Sequence, residues 1–180
     1  MIIPQQDRPA VHETPPLDLN DLRRACSMFP TGVVIATVIG RDGSPHGITV
    51  SSFTSVSLEP PLILICVDHR SRVVRHFMED GYFAVNILNE RQRHLSSHFA
   101  QKNPDRFSSV GWYPGYTGSP LLPEVLATME CKLRQRVPAG DHAILIGQVL
   151  RVTEREGSPL AYFKSSYHTL VRHEQASSTK

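Results

Sequence analysis

Thr49, Ser51, Ser52, Thr54, Ser55 and Ser57 put six hydroxyls into nine consecutive positions of an otherwise strand-like stretch, Gly47–Leu58. A buried hydroxyl left without a partner costs about 1–3 kcal/mol, so a core strand carries this many only where something polar meets them. Short hydroxyls and backbone N–H groups suit the edge of a planar ring rich in carbonyls and nitrogens. A water-washed edge strand is the other reading. Alternation would set Ile48, Val50, Val56 and Leu58 with Ser52 and Thr54 on one face, and Thr49, Ser51, Phe53, Ser55 and Ser57 on the other.

A second group is Asp68-His69-Arg70-Ser71-Arg72, where a strand gives way to a predicted helix. Free N–H groups there attract anions, and Ser71 with Arg70 or Arg72 can complete a phosphate site; a capped helix with solvated arginines is the plainer alternative. Ser96, Ser97 and His98, with Lys102 and Arg106 close behind, offer a weaker version of the same chemistry. His142 follows Gly140-Asp141 at a strand mouth, where an imidazole can touch a ligand, although a lone histidine is more often a structural hydrogen bonder. His94 and His98 have helical i, i+4 spacing but no third ligand beside them, so no metal site is expected. There is no Gly-x-Ser-x-Gly elbow, no Gly-x-Gly-x-x-Gly turn and no carboxylate pair in apolar surroundings. The chemistry must then be carried by a cofactor.

These groups need a scaffold, and 180 residues with 40% hydrophobic content predict one domain with one sizeable core. The net charge of +2 forms no basic stripe, which argues against nucleic acid as a partner. The proline-broken start fits neither a signal peptide nor a membrane anchor, and the longest apolar runs are strand-sized, so a cytoplasmic protein is expected. Residues 1–17 read as a disordered arm, 18–170 as the folded domain and 171–180 as a flexible tail. Cys26, Cys66 and Cys131 are odd in number and set among apolar residues, so buried, reduced thiols are expected.

Asp18 or Asn20 caps a first helix with Leu22, Ala25, Cys26 and Phe29 on its inner face, ended by Pro30. The run Val33–Ile39 predicts a strand covered on both faces, and Gly40-Arg41-Asp42-Gly43 a turn into the hydroxyl strand. Leu62–Val67 is a strand; 71–80 is a helix with Val73, Val74, Phe77 and Met78 inward, closed by Gly81; 82–88 is a strand; Asn89 caps a helix carrying Leu95 and Phe99. Residues 103–120 form a long loop. From Ala127 to Val137 alternation predicts a strand exposed on the face of Thr128, Glu130, Lys132, Arg134 and Arg136, followed by a strand at 143–152 and a closing aromatic segment at 159–167. Six or so strands with three short helices favour a closed or nearly closed antiparallel barrel.

Taken in order, Phe29-Pro30-Thr31-Gly32-Val33, Gly47–Leu58 with Pro60-Pro61, Leu95-Ser96 with Phe99-Ala100, Arg106-Phe107, Gly140-Asp141-His142 and Pro159-Leu160 with Tyr162 resemble the short-chain NAD(P)H:flavin reductase family across nearly the whole predicted domain. The resemblance implies a mainly β fold, an antiparallel flavin-binding split β-barrel, usually a homodimer with flavin near the subunit interface. It implies an oxidoreductase that uses NADH to reduce free flavin, FAD preferred and FMN possible, by direct hydride transfer, and passes the reduced flavin to a partner monooxygenase. Carried over by position, Thr31, Thr49, Val50, Ser51, Ser52 and Phe53 would lie beside the isoalloxazine and ribityl chain. Ser71 and Arg72 would lie near phosphate, Ser97 or Phe99 close to the flavin, and His142, the catalytic candidate, with Tyr162 on the nicotinamide side. Two departures stand out: Asp68-His69-Arg70 replaces a Lys- or Asn-rich phosphate turn, and Ser165 or Ser166 replaces a glycine. A non-catalytic flavin- or haem-binding carrier or sensor on the same barrel is the alternative. A pyridoxamine phosphate type oxidase would need a basic cluster that the linear sequence does not display.

Overall fold

The computed structural model describes residues 16–102 and 105–171. Most of the predicted arm, residues 172–180 of the predicted tail, and residues 103 and 104 of the predicted loop lie outside the described residues. Helix α1 spans Leu19–Ser27, with Asp18 Oδ1 accepting from Asn20 N–H at 2.8 Å as its N-cap. None of its residues is buried, so the expected inner face, Leu22 included, is open in the single chain.

The strands follow as β1 Thr31–Gly32, β2 Val34–Ile39, β3 Pro45–Val50, β4 Thr54–Leu58, β5 Pro61–Asp68, β6 Tyr82–Ile87, β7 Tyr113–Pro114, β8 Pro120–Leu121, β9 Ala127–Ala139, β10 His142–Glu154, β11 Leu160–Phe163 and β12 Ser166–Thr169; helix α2, Arg93–Ala100, stands between β6 and β7. Seven strands form one antiparallel sheet in the order β3-β2-β6-β9-β10-β5-β4. Its two edges, β3 and β4, are consecutive in the chain, joined only by Ser51-Ser52-Phe53. Six gaps of about 4.8 Å would hold the edges of a flat sheet about 29 Å apart, whereas four Cα steps reach at most about 15 Å. The sheet must therefore curl until its edges meet. No ladder joins β3 to β4, so the barrel is split along this seam.

Ser52 sits at the seam in a specific way. Continuing the β4–β5 register, in which Thr54 faces Leu64, places Ser52 opposite Cys66. Its Oγ accepts from Cys66 N–H at 2.9 Å and donates to Cys66 C=O at 3.0 Å, so one side chain stands in for a backbone rung. The predicted continuous hydroxyl strand is thus two strands on opposite edges. Its predicted face breaks too, because Val50 is buried whereas Val56 and Leu58 are exposed.

The barrel interior holds Val34, Ala36, Val38, Ile65, Phe83, Leu133 and Leu145. A second core, under α2, holds Val33, Ile35, Leu88, Phe99, Leu122 and Leu160. Every residue from Val33 to Val38 is buried, which is the two-sided cover its unbroken apolar run predicts. A small sheet, β1-β11-β12, packs beside the main one, with Thr31 facing Tyr162 in register.

Several expectations are corrected. The helix at 71–80 is only a five-residue 3₁₀ turn, Arg72–His76, capped by the Ser71 hydroxyl; Val73, Val74 and Phe77 do point inward, but Met78 does not. The strand at 127–137 is not exposed on one face throughout. Thr128 and Glu130 are buried: the Thr128 hydroxyl lies 2.6 Å from that of Thr153, and the loop 115–119 lies over Glu130, which accepts from Tyr116 N–H, Thr117 N–H and the Thr117 hydroxyl. Short strands such as β1, β7, β8 and β12 were hidden inside turn-rich segments, which accounts for the low strand count. Of the three free thiols only Cys131 is fully buried, its pKa pushed up to about 12 by burial and by neighbouring Glu130, whereas Cys26 is exposed.

Removing the Ser52 hydroxyl leaves two backbone groups of β5 without partners. Ser52→Ala is expected to lower unfolding stability by about 1–3 kcal/mol in urea titration, while Ser55→Ala, at an exposed position of β4, stays within about 0.5 kcal/mol of the parent.

Candidate functional site

The predicted site residues fall into two groups, one near each end of β3. The first gathers around β1, β11 and the end of β3. Thr49 Oγ1 donates to Ser96 C=O at 2.7 Å, and Ser96 Oγ lies 2.9 Å from the Tyr167 hydroxyl, with Ser97 Oγ at 3.5 Å. Tyr167 packs edge-on to Tyr162 at 5.2 Å between ring centroids, and Arg93 lies over its ring. Thr31 is in register with Tyr162. Its Oγ1 is buried and has no hydrogen-bond partner among the described residues, whereas buried polar atoms in proteins are nearly always satisfied.

The second group surrounds the end of β5. A cavity of about 640 Å³ is lined there by Pro45, His46, Gly47, Ile48, Asp68, Arg70, Ser71, Arg72, Val73, Arg75, His76, Ala100, Lys102 and Arg106. Five of these are lysine or arginine, against one carboxylate. Arg70 is spoken for: its guanidinium grips both oxygens of Asp68, with Nη2 at 2.7 Å, and holds the Asp68 carboxyl well below the usual carboxylate range. Arg106 donates to Gly47 C=O at 2.6 Å and to Gln101 C=O, and burial lowers its pKa. Arg72 makes no hydrogen bond or ion pair among the described residues and is exposed to the cavity. It is the cation best placed for an incoming anion.

His142 stands next to this cavity rather than in it. It is in register with Asp68 across β10 and β5, and its Nδ1 lies 2.6 Å from Asp141 Oδ1. That hydrogen bond is the main cause of the lowered pKa of Asp141, and an ionised Asp141 fixes the proton on Nδ1 and leaves Nε2 unengaged. His142 belongs to the main sheet and Tyr162 to the small one, so the two predicted nicotinamide-side residues are carried by different elements.

Other predicted residues are explained by structure. Val50 and Phe99 are core residues; the Phe99 ring lies where a Cβ on Gly47 would be, at 2.7 Å, so it backs the wall formed by β3. Phe53 packs on the barrel core, Ser52 holds Cys66, and Ser51 is exposed at the seam. Within the hydroxyl row, Thr49, Ser52 and Ser57 find partners in this chain's own backbone and Ser51, Thr54 and Ser55 are exposed; Thr31, outside the row, is buried without a partner among the described residues. His94 and His98 each lie near a backbone carbonyl, of Arg91 and Arg106, and no group of three or more potential metal ligands occurs among the described residues.

Sequence reasoning missed Tyr167, Arg75, His46 and His76. The last three are 30 positions apart at the extremes and meet only because β3 and the 3₁₀ turn face each other; no local pattern announces that. The basic cluster absent from the linear sequence is thus assembled by the fold. A second hollow of about 810 Å³ beside Asn89 and Gln92 mixes Glu90, Glu124 and Glu156 with Arg91 and Arg155; of the residues weighed from the sequence only His94, Leu95 and His98 line it, and none of those assigned to flavin or nicotinamide does.

Comparison with known proteins gives a consistent result. The family model described as flavin reductase like domain matches residues 25–171. The chain is 43% identical over 143 residues to a flavin reductase (NADH) of Kitasatospora aureofaciens, covering 77% of this chain and 75% of that protein. It is 40% identical over 151 residues to the reductase component of a flavin-dependent trigonelline monooxygenase of Acinetobacter baylyi, covering 84% of this chain but 49% of the relative, so the chain spans about half the length of that protein. Among solved structures, the NADH:FAD oxidoreductase SgcE6 of Streptomyces globisporus, in complex with NAD and FAD fragments, superposes with a TM-score of 0.82 at 34% identity, covering 88% of this chain and 96% of its own.

The orphaned Thr31 hydroxyl makes a prediction for the free protein. Thr31→Val keeps the shape and removes the unpaired group, so it is expected to leave stability unchanged or raise it by up to about 1 kcal/mol, measured by urea titration. A loss above about 1 kcal/mol would show that the hydroxyl is already satisfied.

Proposed function

Because this chain belongs to the flavin reductase-like domain family, we propose that it is an oxidoreductase in which NADH reduces free flavin, FAD in preference to FMN, and which supplies the reduced flavin to a partner monooxygenase. The observation that carries the reading is the presence, in one fold, of a buried and unpartnered hydroxyl at Thr31 and a cation-lined cavity at Arg72. A flavin needs both: hydrogen-bond donors at the ring and positive charge at the phosphates. The reductases named above act in the same chemistry, one with NADH, one as a monooxygenase component and one seen with FAD fragments. A pyridoxamine phosphate type oxidase, which the basic cluster alone would also suit, is the reading these relatives disfavour.

Bound flavin supplies the hydride acceptor. The chain's own part is positional. Thr31 offers its free hydroxyl to the ring, and the Ser51–Phe53 link forms the floor of the seam. Arg72 and Lys102 balance phosphate charge, and Arg106 fixes the wall of β3 through Gly47. His142, oriented by Asp141, keeps Nε2 for the nicotinamide carboxamide. Nothing in this scheme needs a general acid or base, in keeping with a direct hydride transfer.

The same reading makes the functional unit a homodimer. Leu19, Leu22, Met28 and Phe29 are all exposed, Phe29 at 73%, immediately before Thr31. A second copy covering this face would bury apolar side chains that otherwise meet water. Among the described residues no helix is long and apolar enough to cross a membrane.

NADH oxidation by the purified protein, with FAD, with FMN and without added flavin, tests the proposal. Turnover that depends on free flavin and is faster with FAD is expected; no acceleration of NADH or NADPH loss by either flavin would overturn it. In the same assay His142→Ala is expected to lower the NADH-dependent rate about tenfold, about 1.4 kcal/mol in the barrier, with flavin affinity within twofold of the parent. An unchanged rate would remove the role given to His142.

A further inference from the structure

His46 and His76 belong to no predicted group, yet they form one wall of the 640 Å³ cavity. Their rings are stacked, with centroids 3.7 Å apart and planes 15° from parallel. The hydrogen bonds around them fix where their protons are. The Ser44 hydroxyl donates to Asp42 Oδ1 at 2.7 Å, so it accepts from His46 Nε2 at 3.0 Å, leaving His46 Nδ1 able to take a proton. Arg75 Nε donates to His76 Nε2 at 3.2 Å, so neutral His76 ties Arg75 down as an acceptor. Gly40 makes room for the arrangement, since a Cβ there would lie 2.6 Å from Asp42 Oδ1 and 2.7 Å from His46 Nε2.

We propose that His46 and His76, with Arg72, Arg75 and Lys102, form a proton-linked seat for the pyrophosphate of an adenine dinucleotide. This rests on the flavin reductase reading and adds to it the residues that hold the cofactor's charge. Protonating His76 at Nε2 removes the acceptor of Arg75 and releases that guanidinium to the anion, while the added charge attracts the anion directly. The groups facing the pair are Asp42, 4.0 Å from His46, together with Arg75 and Arg106; Arg70 is neutralised by Asp68. Burial pushes both histidines below the ordinary imidazole value; at His46 Asp42 opposes this and Arg75 and Arg106 add to it, and at His76 the neighbouring His46 and then Arg75 add to it, with Asp42 opposing. The free pair is therefore neutral at pH 7 and gains a proton only as pH falls below about 6.5. A bound anion favours the protonated form and raises that value, so binding takes up a proton and affinity rises as pH falls. The stacked pair shares this proton, so the uptake belongs to the pair and not to either ring.

Titration calorimetry of the whole chain with FAD, ADP-ribose and riboflavin, between pH 7.5 and 5.5 and in two buffers of different ionisation enthalpy, tests this. The pyrophosphate of these dinucleotides does not titrate in that range, so the counted protons are the protein's. Affinity for FAD is expected to rise about five- to tenfold with uptake of up to one proton, while riboflavin changes less than twofold. Uptake with ADP-ribose but not FAD would assign the seat to the nicotinamide cofactor and still sustain it. Equal pH dependence for all three ligands would overturn it. The double variant His46→Gln/His76→Gln is expected to lose the pH dependence and keep riboflavin affinity, and persistence of the dependence would also overturn the proposal. Should that variant fail to fold, the comparison of ligands on the parent chain decides. These are binding measurements, so they separate this seat from the presence or absence of NADH turnover.

Discussion

The constraint on which this structure depends is the three-residue link Ser51-Ser52-Phe53 between the two edges of one sheet. It forces seven strands to curl, and it leaves a seam where a barrel would otherwise close. The seam is costly for a protein, because backbone groups at sheet edges lack ladder partners. Ser52 offsets part of that cost by meeting both backbone groups of Cys66 with one hydroxyl. What remains open at the seam is then available for a ligand.

The same curl decides what the seam collects. Strand β3 carries His46 near its start and Thr49 near its end, three residues or about 10 Å apart, so a single strand connects the cationic cavity to the group around Thr31, Tyr162 and Tyr167. Arg106, clamped on the carbonyls of Gly47 and Gln101, and Phe99, packed against Gly47, hold that strand from behind. A buried polar network performs the corresponding service on the far side. Asn86 donates to Ile35 C=O and to Thr37 Oγ1, accepts from Leu122 N–H, and so ties β8 and the segment after it to the main sheet. The scaffold is rigid where the site needs it and unpaired where a ligand would enter.

How far the sequence discloses this differs by element. The unbroken apolar run of β2 and the Gly40–Gly43 turn are local signals that form as expected; the Asn89 cap forms a full capping box with Gln92, but on a 3₁₀ turn, Glu90–Gln92, that leads into α2, whose own start has no side-chain cap. The hydroxyl row was legible as an anomaly but not as a mechanism. Its partners, Cys66 for Ser52 and Ser96 for Thr49, lie 14 and 47 positions away, and alternation within a strand carries no information about them. The break between β3 and β4 escaped for the same reason, since Ser52 resembles any strand serine until Cys66 is opposite it. Period-two patterning places Glu130 on a wet face because it cannot see a loop that folds over a strand. The family resemblance, built on motifs spread from Phe29 to Tyr162, supplied what periodicity could not; it pointed to Ser71 and Arg72, but not to the histidine pair beside them.

A crystal structure of the protein with FAD would test the central claim most directly. The account predicts the flavin ring at the seam, with Thr31 Oγ1 within hydrogen-bond distance of it and the pyrophosphate in the cavity of Arg72 and Arg75. A ring bound instead in the hollow beside Asn89 and Gln92, or a flavin that leaves the Thr31 hydroxyl unpaired, would contradict it.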